Sequence, residues 1–250
     1  MLRGMDLQQI FLFPVKDAEA RKHFLIGCLV SLAGFIIPIL PFLALYGYAA
    51  RIAKQIFNNE EPRMIAWDDW EGMFKGGARM LGVRMVYSLP ILILTIPIFI
   101  AGIGLPIFIE NANSANTDSI MAVFTLIMFG AFCLFIPLSF ALAIIIPAAE
   151  MYAVDKNEFA AGFRVKEWWA VFRANTSGFI AAFGIYYVAS MILMIALQII
   201  MATLIFACLL PILMPALTMY LVLIMYVTIA QAYKVGREKL LQKEAALQQG

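Results

Sequence analysis

The sequence predicts an all-α, polytopic transmembrane helical bundle of about five spanning helices, joined by two amphipathic helices lying at the membrane interface. Three observations carry this reading. Hydrophobic residues fill 64% of the 250 positions and charged residues only 14%, against roughly a half and a quarter in a soluble domain. The charges are missing in whole blocks, with no Asp, Glu, Lys or Arg across 24–50, 85–109, 119–149 or 174–233. The 18 Lys and Arg gather in the segments between those blocks.

A bilayer crossing needs about 20 apolar residues, whereas a buried soluble helix rarely sustains more than about 14. The blocks are also too long for barrel strands of about 10 alternating residues. The first three blocks each allow one crossing. The fourth allows two, because Pro211 and Pro215 interrupt the helical ladder near its middle. A turn is expected around 204–213. The resulting single domain, 1–250, has spans near 24–50, 82–109, 119–149, 176–203 and 211–233. The first block exceeds the apolar core of a secretory leader, and no small-residue cleavage site follows it, so Met1–His23 is expected to remain.

The basic residues set the orientation. Residues 51–84 hold six Lys or Arg, 150–173 hold four and the tail from Lys234 holds four, whereas 110–118 and the turn near 204–213 hold none. The positive-inside bias places 51–84, 150–173 and the C-terminus in the cytoplasm. Five crossings then force the N-terminus outside, although it carries Arg3, Lys16, Arg21 and Lys22. The alternative is that 24–50 is re-entrant. Pro38 and Pro41 stand near its middle, and such a hairpin needs shelter from protein because lipid cannot satisfy broken backbone.

The first interfacial helix is expected over 67–81. On a helical wheel Asp68, Glu71, Lys75 and Arg79 share one face and Trp67, Trp70, Met73 and Phe74 the other, which puts aromatics at the acyl boundary and charges in water. Asp68 reads as an N-cap with Glu71 three residues on, a capping-box pattern that explains the acidic pair better than a cation or headgroup site. Glu71 and Lys75 form a favourable pair one turn apart. The second interfacial helix, 156–173, follows Asp155 and carries Trp168, Trp169 and Phe172. Trp70, Phe74 and Tyr87 in the first half find counterparts in Trp168, Phe172 and Tyr186, which suggests two related units. Residues 234–249 are rich in helix formers and are expected to prolong the fifth helix into the cytoplasm.

Candidate site residues are few. Trp67, Trp70, Phe74, Trp168, Trp169 and Phe172 are the expected lipid-facing aromatics, and Arg51, Asp68, Asp69, Glu150 and Asp155 a possible polar cytoplasmic cluster. Gln198 is the one strongly polar side chain deep in an apolar block; it suits helix–helix hydrogen bonding more readily than substrate binding. The blocks hold no ionisable group of the kind that marks proton coupling or intramembrane catalysis. His23 is the single histidine, and Cys28, Cys133 and Cys208 lack metal-like spacing. No zinc, phosphate-loop or nucleophile-elbow motif occurs. An enzyme is therefore not expected, nor is a cofactor. The expected partners are membrane lipid and other membrane subunits or further copies of the chain, with no nucleic acid.

Leu45-Tyr-Gly-Tyr-Ala-Ala-Arg51, Asn58-Asn-Glu-Glu-Pro62, Trp67-Asp-Asp-Trp70, Phe74, Gly77 and Tyr87-Ser-Leu-Pro90 together resemble the domain of unknown function 4013 family of prokaryotic multi-pass membrane proteins. That family shares a Gly-Tyr ending to its first apolar helix, a Trp-Asp-Asp-Trp-like loop and a Tyr-x-x-Pro entering the next helix; Phe13-Pro14 also fits. Pro62 stands five residues before Trp67, a wider spacing than the family pattern. The resemblance implies the cell membrane of a prokaryote and brings no activity, substrate or catalytic residue. The expected function is lipid organisation or scaffolding of a membrane complex. The alternative is a transporter or channel for a small or amphiphilic solute, without intramembrane proton coupling.

Overall fold

A computed structural model describes residues 7–111, 114–202 and 208–248, and every regular element among them is helical. The helices are α1 (Leu7–Leu12), α2 (Ala18–Ala33), α3 (Leu40–Phe57), α4 (Trp70–Asn111), α5 (Ser114–Asp155), α6 (Val165–Ala174), α7 (Thr176–Ala202) and α8 (Leu210–Gln248). Single 3-10 turns at Phe13–Val15 and Ala160–Phe163 link α1 to α2 and α5 to α6. Among the described residues four helices, α4, α5, α7 and α8, are long and apolar enough to cross a bilayer.

The first apolar block is two helices, not one. α2 and α3 are separated by a turn over 34–39, where Ile39 takes a positive φ of 76° between Pro38 and Pro41. A β-branched residue is held there only at a cost, and the two prolines explain why the helix cannot run through. α2 and α3 pack on each other and both pack on α8. Neither is among the four helices long and apolar enough to cross.

The segment expected as a separate interfacial helix over 67–81 is the start of α4. The helix begins at Trp70 and continues unbroken for 42 residues. Its start fixes the cap: the Asp69 carboxylate accepts from the Gly72 amide at 2.9 Å, so Asp69 rather than Asp68 caps the helix and Glu71 is not its reciprocal partner. The second part of the last apolar block and the tail likewise form one helix, with Pro215 inside it. Of the turn expected over 204–213, residues 204–207 lie outside the described residues, and α8 already begins at Leu210.

The chain forms two compact units. One comprises residues 1–83 and 147–250, the other 84–146. In the first, α8 is the central element, with α2, α3, α6 and α7 seated on it. Tyr48, Tyr226, Tyr233, Phe179, Met73 and Met151 are among its largest fully buried side chains. α3 and α4 touch backbone to backbone: a methyl added at Gly47 would overlap the Met73 carbonyl, and one at Gly77 the Leu43 carbonyl. Glycine at both positions is what allows that approach. The second unit consists of the remaining lengths of α4 and α5, with Leu89, Ile93, Phe99, Leu126 and Phe129 among its exposed apolar side chains.

α3 and α5 end in the same way. Asn59 and Asn157 both adopt the left-handed conformation, with φ of 65° and 54°. In the first, Glu60 N donates to Gln55 O and Asn59 N to Ile56 O; in the second, Glu158 N donates to Ala153 O and Asn157 N to Val154 O. Each is the double-bonded cap that satisfies the last helical carbonyls. Asn59 and Asn157, Glu60 and Glu158, Trp70 and Trp168, and Phe74 and Phe172 are all separated by 98 positions. The likeness ends there, because Trp70 opens the long α4 while Trp168 lies inside α6, which stops at Ala174.

Candidate functional site at the charged end of the bundle

Three groups of side chains pin the connecting segments of the first unit onto its helices. The first is built on Trp67. Its indole stacks on Tyr48 of α3 with ring centroids 4.2 Å apart, and its Nε1 donates to the His23 carbonyl of α2 at 2.9 Å. The Tyr48 hydroxyl donates to Ile65 O and accepts from Ile65 N, each at 2.9 Å. The Arg63 amide donates to Gln55 Oε1 at 2.8 Å. An apolar ring system with one satisfied N–H can be buried at little cost, and Trp67 is 9% exposed. Arg51 of α3 lies 3.9 Å from Asp68 and 3.6 Å from Asp69. These are partly solvated pairs that hold geometry more than they stabilise.

A second group joins α5, α8 and the end of α3. Arg237 donates to Asp155 at 2.7 Å and to the Phe57 carbonyl at 3.0 Å, while the Tyr233 hydroxyl donates to the other Asp155 oxygen at 3.0 Å. The Tyr152 hydroxyl is hydrogen-bonded to Glu167. Farther along α5, the fully buried Glu150 accepts from the Tyr226 hydroxyl at 3.0 Å. The third group is amide-centred. Buried Asn175, between α6 and α7, donates to Ala232 O at 2.9 Å and accepts from Lys239 at 2.8 Å. Asn157 Oδ1 accepts from both Lys54 Nζ at 3.0 Å and Arg79 Nη1 at 2.8 Å.

The structure thus divides the polar set read from the sequence. Arg51, Asp68 and Asp69 come together; Asp155 is held by Arg237 and Glu150 meets Tyr226. Tyr48, Asn157, Asn175, Tyr226, Tyr233 and Arg237 are organising residues that the sequence reading did not single out. The aromatic set divides as well. Trp67, Trp168 and Phe172 are buried within the protein, whereas Trp70 and Trp169 are 40% and 37% exposed. Phe74 is half-buried beside Trp70, with ring centroids 6.3 Å apart. Gln198 is exposed on α7.

Several Ser and Thr hydroxyls of the long helices bond backwards to their own backbone. Thr95 donates to Leu92 O, Ser139 to Phe135 O, Ser190 to Tyr186 O and Thr218 to Met214 O. A groove of about 530 Å³ runs between α7 and α8 beneath α1, lined by Leu7, Phe11, Val188, Ile192, Leu193 and Tyr220 among others. A polar cavity of about 570 Å³ surrounds the Asp155–Arg237 pair, bounded by α5, α6 and α8. Among the described residues no group of three His, Cys, Asp or Glu is placed to hold a metal ion.

An all-helical fold in which four of the described helices are long and apolar enough to cross a bilayer, with connecting segments pinned at the charged end of one unit, is consistent with an α-helical membrane protein. The sequence model of one family, described as "Protein of unknown function (DUF4013)", matches residues 30–206, and the chain belongs to that family. No curated protein and no solved structure matches the chain.

Proposed function

We propose that this is a non-enzymatic protein of the prokaryotic cell membrane that organises lipid or scaffolds a membrane complex. One observation carries the proposal: the groove beneath α1 is apolar along its length and opens between two membrane-length helices. The bonding of Ser139, Ser190 and Thr218 supports it, because hydroxyl protons given to their own backbone are not offered to a solute. Gln198, exposed on α7, is not among the residues lining the groove.

In this proposal α4, α5, α7 and α8 cross the bilayer and α2–α3 enter it as a re-entrant hairpin. At 1.5 Å per residue, α2 and α3 are roughly 24 and 27 Å long, each short of a hydrocarbon core of about 30 Å. Their seating on α8 gives the broken backbone at 34–39 the protein neighbours that such a segment needs. The N-terminus then shares the cytoplasmic side with the C-terminus, and Lys16, Arg21 and Lys22 obey the positive-inside bias.

The test is the lipid that stays with the protein. Purified protein should retain phospholipid through delipidating washes, and Gly184→Leu, whose added atoms enter open space at the groove wall, should reduce that retention. Retention unchanged by the substitution, together with solute flux in proteoliposomes that is lost in Gln198→Leu, would establish the transporter instead.

A further inference from the structure

Lys54 on α3 and Arg79 on α4 converge on the single oxygen of Asn157, at 3.0 and 2.8 Å. Their charged nitrogens are therefore within about 6 Å of each other. Arg51, one turn before Lys54, adds a third cation to the neighbourhood. The carboxylates of this region are committed elsewhere: Asp68 and Asp69 to Arg51, Asp155 to Arg237 and Glu158 to Arg164. Among the described residues neither Lys54 nor Arg79 forms an ion pair. The Lys54 ammonium is pushed below the ordinary lysine range by burial first, then by Arg79 and Arg51, with only Asp155 acting the other way.

Two cations sharing one neutral acceptor is an arrangement that lacks its anion. Like charges this close repel, and a neutral amide gives a guanidinium weaker hydrogen bonding than an anionic oxygen does. The chain continues from Asn157 to Phe159, which is 46% exposed and packs its ring against Gly82, three residues beyond Arg79 on α4. The site therefore has a charged floor and an apolar lip.

We propose that Lys54, Arg79 and the Asn157 amide bind a phosphate group. Arg79 offers the planar donor pair that suits phosphate oxygens, and Lys54 a point charge. The phosphate is presented either by an anionic phospholipid headgroup or by a soluble phosphate. The lipid source rests on the membrane reading above; the phosphate chemistry rests on the side-chain geometry alone.

Asn157→Asp tests the proposal without removing a cation. Asp tolerates the left-handed backbone nearly as well as Asn, and its carboxylate would supply the anion internally. Thermal unfolding of detergent-purified protein is followed while inorganic phosphate, phosphatidylglycerol or phosphatidylcholine is added at constant ionic strength. Phosphatidylglycerol should raise the melting temperature saturably and phosphatidylcholine much less. Asn157→Asp should melt higher than the parent protein without ligand and lose the ligand response. Lys54→Gln with Arg79→Gln should weaken the apparent affinity about tenfold or more, while Lys243→Gln on the exposed tail should leave it intact. A saturable response to inorganic phosphate that Asn157→Asp abolishes assigns the site to soluble phosphate. Responses that persist in Asn157→Asp, or no response to any of the three, overturn the proposal. Lipid retention in the α7–α8 groove is read separately, so failure of one reading does not count as failure of the other.

Discussion

The Trp67 indole nitrogen and the His23 carbonyl oxygen meet at 2.9 Å, joining residues 44 positions apart. Together with the Tyr48–Trp67 stack, that bond fixes the segment before α4 to both α2 and α3. Trp67→Phe preserves much of the stack and removes only the indole's bond to a carbonyl that α2 already engages in its own ladder, which should cost about 0.5–1.5 kcal/mol. Trp67→Ala also empties a core site and should cost about 3–5 kcal/mol. Trp70→Ala, at a far more exposed ring, should cost much less. Thermal melts and protease accessibility of residues 58–69 check all three. Equal effects at positions 67 and 70 would contradict the structure.

Arg237 joins Asp155 to the end of α3. Removing either partner should destabilise by about 1–3 kcal/mol, because a mostly buried charge loses its counterpart. Asp155→Asn combined with Arg237→Gln should cost less than the sum of the single changes. A double-mutant cycle on melting data measures that coupling, and strict additivity would mean the pair holds nothing together.

Gly47 and Gly77 admit no side chain where α3 crosses α4. Gly47→Ala and Gly77→Ala should each force the helices apart and prevent recovery of monodisperse protein. Gly102→Ala should be tolerated, since a Cβ there meets no atom within 4 Å. Size-exclusion profiles of the three variants provide the comparison.

The hairpin topology makes a one-sided expectation. Cysteines introduced at Lys16 and at Lys243, in a background without Cys28, Cys133 and Cys208, should react with a membrane-impermeant maleimide from the same face of the membrane. Labelling from opposite faces would mean that the first apolar block crosses.

Lys54 gives a pH dependence. Its folded-state ammonium deprotonates below the ordinary lysine range, so between that lowered value and the ordinary one the unfolded chain binds the extra proton. Stability therefore rises with pH across this window relative to Lys54→Met. Melting curves recorded on both proteins from neutral to alkaline pH should diverge in that direction; parallel curves would show that the shift has no energetic weight.

Much of the architecture was legible because bilayer-length apolar segments are a compositional signal. Blocks without a single charge mark the long helices whatever their packing. The break in the first block was visible in Pro38 and Pro41, and only its consequence had to come from three dimensions: two short helices seated on α8. The Trp67 reading failed for a specific reason. A helical wheel started at 67 assigns that ring a face, but the helix starts at Trp70, and Trp67 sits at a bend in an irregular segment whose direction no periodicity governs. Arg237 and Asp155 lie 82 positions apart, and Lys54 and Asn157 lie 103 apart. Nothing local links such pairs, because the pairing is decided by which helices α8 gathers. The Asn-Glu sequences at 59 and 157 were a missed signal, since left-handed asparagines after a helix are a recognisable stop.

α8 runs 39 residues without interruption, and the part beyond Tyr220 contains no proline. A rod of that kind has no joint in which to absorb a rotation. Its far end projects Leu241 and Leu247, 58% and 73% exposed. Turning that end about the helix axis would carry the Asp155 and Asn175 pins along, so rotation at the tail and rotation among the helices seated on the shaft are one motion.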